Sequence, residues 1–207
     1  MKSPTLMWAD DVAGVVRGEA FRQLLATGEP VTGEDLSVAI RLSLDKVSRV
    51  LEELDTVGRI RRNATESVIG SAGLSVVPDR HQIELEGRRF LTWCAYDILG
   101  IFGALRATGT AVSRSPATGA TISLRFRDGR PEAAGVVLFR PSDSSAESCT
   151  SIYEEWCPNS NFFEDARPAR AWSASHKLAG RVLSLEEASD LATAEWLPVT
   201  RSPQRRL

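Results

Sequence analysis

Cys94 and Asp97 stand three residues apart in the segment WCAYD. On a helix that spacing places both side chains on one face, a few ångströms from each other. Their neighbours Trp93, Ile98, Leu99, Ile101 and Phe102 are apolar. A carboxyl group in such surroundings resists ionisation and holds a proton near neutral pH. A thiol beside it near a helix start gains thiolate character. The pair therefore offers an electron donor for a soft centre and a proton donor next to it. The competing reading of Cys94 is plain packing, since cysteine is among the most commonly buried residues. Asp97 fits that reading poorly, because carboxylates are seldom buried without a partner or a task.

Cys157 lies in EEWCPNSNFF. Pro158 disfavours helical geometry at the residue before it, which predicts a strand end or a turn for Cys157. Joined in space with Cys94 and Asp97, it would complete a set of two thiols and one carboxylate. Such a set suits a soft, thiophilic metal, whereas oxygen-rich sites suit magnesium or calcium. There is no CxxC pair, and the only histidines are His81 and His176, so the spacing of a structural zinc site is missing. Cys149, in ESCTS, has no supporting pattern and reads as a bystander. The chain also lacks a phosphate-cradling glycine loop, a GxSxG elbow and an HExxH motif.

The elements that must position these residues fall into two regions. Of 207 residues, 43% are apolar and 25% charged, the balance of an ordinary globular protein. The formal net charge of -2 gives no global attraction to nucleic acid or to anionic membranes. The opening MKSPTLMWADDV has no basic stretch followed by an apolar one, so no signal peptide is evident. No run approaches the roughly 18 apolar residues of a membrane span. These features predict a cytoplasmic protein whose three cysteines stay reduced.

In the first region apolar residues recur at helical spacing over 12–26. Thr32 caps a second helix over 34–40, and Ser43 a third over 44–54 with the stripe Val47, Val50, Leu51 and Leu54. Gly58 stops it, and the β-like runs SVIG, LSVVP and HQIEL follow. Helices and then a β-ribbon is the order of a winged helix. Arg41, Lys46, Arg49, Arg59, Arg61 and Arg62 are available for phosphate contacts. Glu52, Glu53 and Asp55 on the same helix, with the negative total, argue against nucleic acid and for a folded cap. The second region carries a buried apolar helix over 91–105, β-rich runs (TAVS, TISLRF, GVVLF) between turns, a capping-box spacing at Ser184 and Glu187, and a polar, frayed tail TRSPQRRL. The fold class expected is α+β: a winged-helix-like N-terminal domain over 1–82, followed by a mixed helix and antiparallel-strand domain over 83–207.

Across residues 90–185 the sequence resembles the alkylmercury (organomercurial) lyase family. The likeness is carried by FLTWCAYDILGIFGALRATG, SPATGATISL, the stretch from GVVLF to WCPNSNFF, and AWSASHKLAG, matching in order and spacing. The resemblance implies that 83–207 is catalytic, and that the winged-helix-like part packs against it. It implies that Cys94 is the first catalytic cysteine, Asp97 the catalytic aspartate and Cys157 the second cysteine. Some family members have cysteine at the positions of Pro158 and Ser115, and histidine where Asn159 and Asn161 stand here.

The mechanism so implied has a thiolate of Cys94 or Cys157 bind the mercury of R–Hg⁺, and the second thiolate add to it. Asp97 takes a proton from a thiol and delivers it to the carbon, giving R–H and Hg(II). The metal stays on Cys94, Cys157 and Asp97 until small thiols or a mercuric reductase extract it, so no organic cofactor is expected. Trp93, Phe102, Trp156 and Phe162 could shelter the organic group, although core packing explains each of them singly. Two other functions remain open: a soft-metal-responsive regulator with a winged helix, and a related protein acting on another organometal.

Overall fold

The computed structural model describes residues 12–200. Most of the opening segment read for a leader, and all of the polar tail after Thr200, lie outside them. The N-terminal periodicity folds into α1 (Val12–Thr27), α2 (Gly33–Ile40) and α3 (Leu44–Thr56). Thr32 Oγ accepts the Asp35 N–H at 3.1 Å, and the Asp35 carboxylate accepts the Thr32 N–H at 3.3 Å, a complete capping box. Ser43 occupies the N-cap of α3 without a side-chain cap bond. Val47, Leu51 and Leu54 of α3 are buried with Val16, Phe21 and Leu24 of α1. Each such side chain withdrawn from water contributes about 1.5–3 kcal/mol.

The chain then enters β1 (Ile60–Arg62), β2 (Val68–Ser71), β3 (Leu74–Ser75), β4 (His81–Leu85) and β5 (Arg88–Thr92). The helix α4 (Ala95–Leu105) follows, then β6 (Gly109–Arg114), β7 (Thr121–Arg127), β8 (Arg130–Glu132) and β9 (Val137–Pro141). Next come α5 (Asp143–Ser148), a π-helical turn Ile152–Trp156 and a 3₁₀ turn Cys157–Asn159. The chain continues with β10 (Asn161–Phe163), α6 (Ala166–Ser175), β11 (Gly180–Ser184) and α7 (Leu185–Thr200). Glu187 N–H meets Ser184 Oγ at 3.1 Å, as the capping-box spacing predicts.

The strands pair antiparallel throughout, giving a mixed α+β architecture. One sheet has the order β1-β2-β3-β5-β4-β6-β7-β8, and a smaller one the order β10-β9-β11. The large sheet runs unbroken through β4, which spans residues 82 and 83. Strict alternation along β4 and β7 turns Ile83, Leu85, Ile122, Leu124 and Phe126 inward. Against that face lies α4, nearly every residue of which is buried. Phe102 of α4 stacks flat on Phe126, with ring centroids 3.9 Å apart. On its far side α4 meets α7 so closely that a Cβ on Gly100 would fall 2.4 Å from the Trp196 ring. No helix of the described residues is long and apolar enough to cross a membrane.

One element differs from expectation. The helix predicted over 91–105 begins only at Ala95, and Arg88–Thr92 is strand β5. Ile83 pairs with Phe90 and His81 with Thr92, while Leu74 of β3 pairs with Thr92 on the other side. With sheet partners on both edges, the β-branched and aromatic residues of this run bury better as a strand.

Candidate active site

Cys94 sits at the junction of β5 and α4 as the N-cap residue, with an extended backbone (φ −149°, ψ 170°). Its neighbours pin it on both sides. Trp93 N–H donates to Gly73 O at 3.0 Å, and Ala95 N–H to Ser160 O at 3.1 Å. Asp97, in the first turn, accepts the Cys94 N–H on Oδ2 at 2.9 Å. It forms the acidic arm of a capping box in which cysteine stands where serine or threonine is usual. The spacing Cys94-x-x-Asp97 thus has a local cause: one carboxylate both ends the helix and lies beside the sulfur.

Cys157 is the first residue of the 3₁₀ turn, with a helical backbone (φ −58°, ψ −40°). Of the strand end or turn expected from Pro158, the structure has the turn, with helical rather than extended backbone at Cys157. Proline at the start of a helical turn loses no hydrogen bond, because the N–H it lacks would have no partner there. The turn is braced by Asn159 Nδ2 to Glu155 O at 2.8 Å and Asn161 Nδ2 to Pro158 O at 2.7 Å. Ser160, which accepts from Ala95, also donates its N–H to Cys157 O at 3.1 Å. The two cysteines are thereby tied through one residue.

The result is a cluster of three buried groups. One ligand atom from each of Cys94, Asp97 and Cys157 lies within 4.8 Å of the others. Cys149 is outside this cluster, its thiol directed to Ala146 O at 3.2 Å. Burial, first, holds the Cys94 thiol well above its usual range, and the adjacent Cys157 and Asp97 add to the rise. Burial likewise pushes Cys157 up, opposed by its hydrogen bond to Cys94. This direction runs against the thiolate character expected of Cys94 at a helix start, and burial is its largest cause. Burial raises Asp97 to about 7, opposed by its bonds to Cys94 and assisted by the nearby Asp79 carboxylate. The proton-holding carboxyl expected from the apolar context is present.

A pocket reaches Asp97 and Cys157 between walls of Trp93, Trp156, Trp196 and Ile152. Of the four aromatic residues considered for shelter, Trp93 and Trp156 line it. Phe102 instead stacks on Phe126, and Phe162 is fully buried in the core. Several contributors escaped the sequence reading. Ala72 and Gly73, both at positive φ (53° and 82°), form the two-residue turn between β2 and β3. A Cβ on Gly73 would fall 2.2 Å from Asp97 Cγ. The dipeptide in SAGLS was the one available signal, because such hairpin turns need left-handed residues. Arg17 and Arg59 also line the pocket, and nothing in their local sequence marks them.

Of the cations considered for phosphate contacts, Arg41, Lys46 and Arg49 are exposed, whereas Arg59, Arg61 and Arg62 are half-buried. Arg61 pairs with Asp79 at 2.8 Å, and Arg62 with Asp55 at 3.1 Å and with Glu66. The guanidiniums of Arg61 and Arg80 each lie over the Tyr153 ring, 4.3 and 4.4 Å from its centroid. Tyr153 in turn meets Trp93 edge-on at 5.4 Å. The segment before Cys157 is thus fastened to the N-terminal part of the chain.

Fold and site together define a mixed α+β protein with a buried centre of two thiols and a carboxyl. A family model described as MerB, alkylmercury lyase, matches residues 74–196. An alkylmercury lyase of Bacillus cereus is 32% identical over 175 residues, covering 82% of this chain and 75% of the relative. One of Pseudomonas putida is 33% identical over 166 residues, covering 75% and 71%. A solved structure described as the mercury-bound form of MerB2 superimposes with a TM-score of 0.77 at 25% identity, covering 88% of this chain and 90% of that one. The chain belongs to the alkylmercury lyase family.

Proposed function

We propose that the chain is an organomercurial lyase that breaks a carbon–mercury bond by protonolysis, with Cys94, Asp97 and Cys157 as its catalytic residues. The observation that carries this reading is the cluster itself: two thiols and a carboxyl with ligand atoms within 4.8 Å, all buried. Sulfur supplies the soft ligands that mercury prefers. Asp97, raised to about 7, is poised to exchange a proton at neutral pH.

The chemistry closes on these groups. Mercury of the substrate, R–Hg–X, forms an Hg–S bond to one thiol as its bond to the ligand X breaks, and the thiol proton leaves with X, since a coordinated thiol is deprotonated outright. The second thiol adds, and its proton passes to Asp97. Two sulfurs push electron density onto the metal and its carbon. Asp97 then delivers the proton to carbon as the C–Hg bond breaks. The products are R–H and Hg(II) held by Cys94 and Cys157, with Asp97 as a third donor. No organic cofactor is required. Trp93, Trp156 and Trp196 exclude water around the organic group.

The N-terminal part, residues 1–82, serves in this reading as a winged-helix-like cap on a catalytic part, 83–207. The three helices followed by the β1–β2 ribbon support it, as do Arg61 and Arg62, which spend their charge on Asp79, Asp55 and Glu66. The cap shares its sheet with the catalytic part through β4. Working in the cytoplasm, the protein would give up Hg(II) to small thiols or to a mercuric reductase.

The test is hydrocarbon release from methylmercury and phenylmercury by the thiol-reduced protein, beside Cys94→Ala and Asp97→Asn. Methane or benzene from the wild type, absent with Cys94→Ala, supports the reading. Asp97→Asn should still bind mercury and lose at least about 10²-fold in release, the usual worth of a positioned proton donor. Mercury binding by the wild type without any hydrocarbon would sink the lyase reading and leave a soft-metal carrier or sensor.

A further inference from the structure

The pocket wall holds two groups that the protonolysis does not use. Arg17, from α1, is only 9% exposed, and Arg59 lies between α3 and β1; both line the pocket beside Asp97 and Cys157. Arg59 is close enough to Cys157 and Cys149 to be coupled electrostatically to both sulfurs. The leaving hydrocarbon is apolar and the proton comes from Asp97, so neither guanidinium serves the reacting carbon. A bare organomercury cation would be repelled by them. Organomercury does not travel bare where thiols abound, however. A soft metal takes a thiolate ligand and arrives as R–Hg–SR′.

We propose that Arg59, with Arg17 also on the pocket wall, binds the carboxylate of a small anionic thiol that carries the organomercury group into the pocket. This rests on the lyase reading and adds to it the class of true substrate: the mercury complex of a carboxylate-bearing thiol. Guanidinium suits the role, because it grips a carboxylate with two parallel bonds and stays charged when partly buried. Asp79, the other carboxylate near Asp97, is engaged by Arg61 and Arg80. On arrival, the Hg–S bond to the carrier breaks and an Hg–S bond to Cys157 forms. The Cys157 thiol proton moves to the carrier sulfur, which leaves as R′SH with its carboxylate still at Arg59. Because Arg59 adjoins Cys157, the carrier sulfur is presented to the thiol that replaces it.

The experiment uses preformed phenylmercury complexes of mercaptoacetate (anionic), 2-mercaptoethanol (neutral) and cysteamine (cationic). Enzyme is in excess, no free thiol is added, and benzene release is followed over one turnover. The wild type should rank them in that order, with about tenfold or more between the first and the last at low salt, and the gap should shrink as salt screens the partly exposed charge. Arg59→Gln should collapse the ratio toward one, and Arg59→Lys should keep part of it. Equal rates for all three complexes in the wild type would overturn the proposal and leave the lyase reading standing. An undiminished ratio in a folded Arg59→Gln would overturn it as well. No benzene from any complex would instead sink the lyase reading beneath it. The wild-type series does not depend on the variants folding.

Discussion

Gly73→Ala changes one hydrogen for a methyl at a residue that makes no chemistry of its own, yet the structure predicts a large effect. The added Cβ would fall 2.2 Å from Asp97 Cγ, 2.3 Å from Oδ1 and 2.5 Å from Cβ. The turn cannot retreat easily. Trp93 N–H holds Gly73 O, and Trp196 Nε1 holds Ala72 O, both at 3.0 Å. The carboxyl must therefore swing away and give up the Cys94 N–H, a charge-assisted bond worth about 1.5–3 kcal/mol. Holding alanine at φ 82° costs about 1–2 kcal/mol more. The sum, about 3–5 kcal/mol, corresponds to a fall in Tm of roughly 6–20 °C in a chain of this size. Hydrocarbon release in one turnover should fall about 10²-fold, as expected when a reacting group is displaced by about 1 Å. Thermal melts and benzene release from phenylmercury measure both. In an Asp97→Gly background, where all three contacts vanish, Gly73→Ala should cost only the backbone part. A Gly73→Ala protein with wild-type Tm and wild-type release would refute the claim that this turn seats the carboxyl.

Other outcomes follow from the same geometry. Asp97 titrates at about 7 in the fold against an ordinary 3.8, so the folded state holds its proton from about pH 4 to 7 while the unfolded chain has lost it. Stability from this group therefore declines across that window. Melts of wild type and Asp97→Asn should separate in favour of the variant as pH rises from 4 to 8, and a constant difference would contradict the assignment. Single-turnover release should rise as pH rises through about 7, because Asp97 must be ionised to take the second thiol's proton before it returns that proton to carbon. His81, buried and paired through Nδ1 with Ser113 Oγ at 2.7 Å, is pushed down to about 4 by burial. The unfolded chain takes up that proton first, so stability is lost as pH falls from about 6.5 to 4. His81→Gln should show a shallower loss of Tm over that range. Cys149→Ser should keep wild-type turnover and bind one Hg(II) per chain, as measured by release assay and mercury titration.

The parts of this protein that were legible in its sequence are those whose causes are local. Thr32 with Asp35, and Ser184 with Glu187, announce two helix starts through side chains that reach their own backbone. Cys94 and Asp97 belong to the same kind of signal, because the carboxylate that lies beside the sulfur is the one that caps the helix. What was not legible is set by partners far along the chain. The run from Phe90 to Leu105 is apolar apart from Thr92 and Asp97, so it carries no clear period to separate strand from helix. Only the pairing of β5 with β3 and β4 divides it. The backbone of Cys157 follows from a π turn packed against the N-terminal part, with Ile152 N–H on Val57 O at 3.1 Å, and not from Pro158. Arg17, Arg59 and Gly73 come to the pocket from three other elements, and no spacing links them to Cys94.

If the cluster is the mercury site proposed above, its electrostatics keep it quiet without the metal. A helix start alone favours a thiolate at Cys94, and such a thiolate would be open to oxidation and to any electrophile. Burial reverses that preference for both thiols, so in the resting protein the protons stay on sulfur. In the proposed reading mercury displaces them, since thiolate sulfur has a strong preference for a soft metal ion. The second thiol's proton then needs, in the same reading, an acceptor inside a pocket walled by tryptophan, and Asp97, raised to about 7, is the group placed to take it and give it back. In that reading, the same desolvation that keeps the protons on the thiols also raises the carboxyl that returns one of them to carbon.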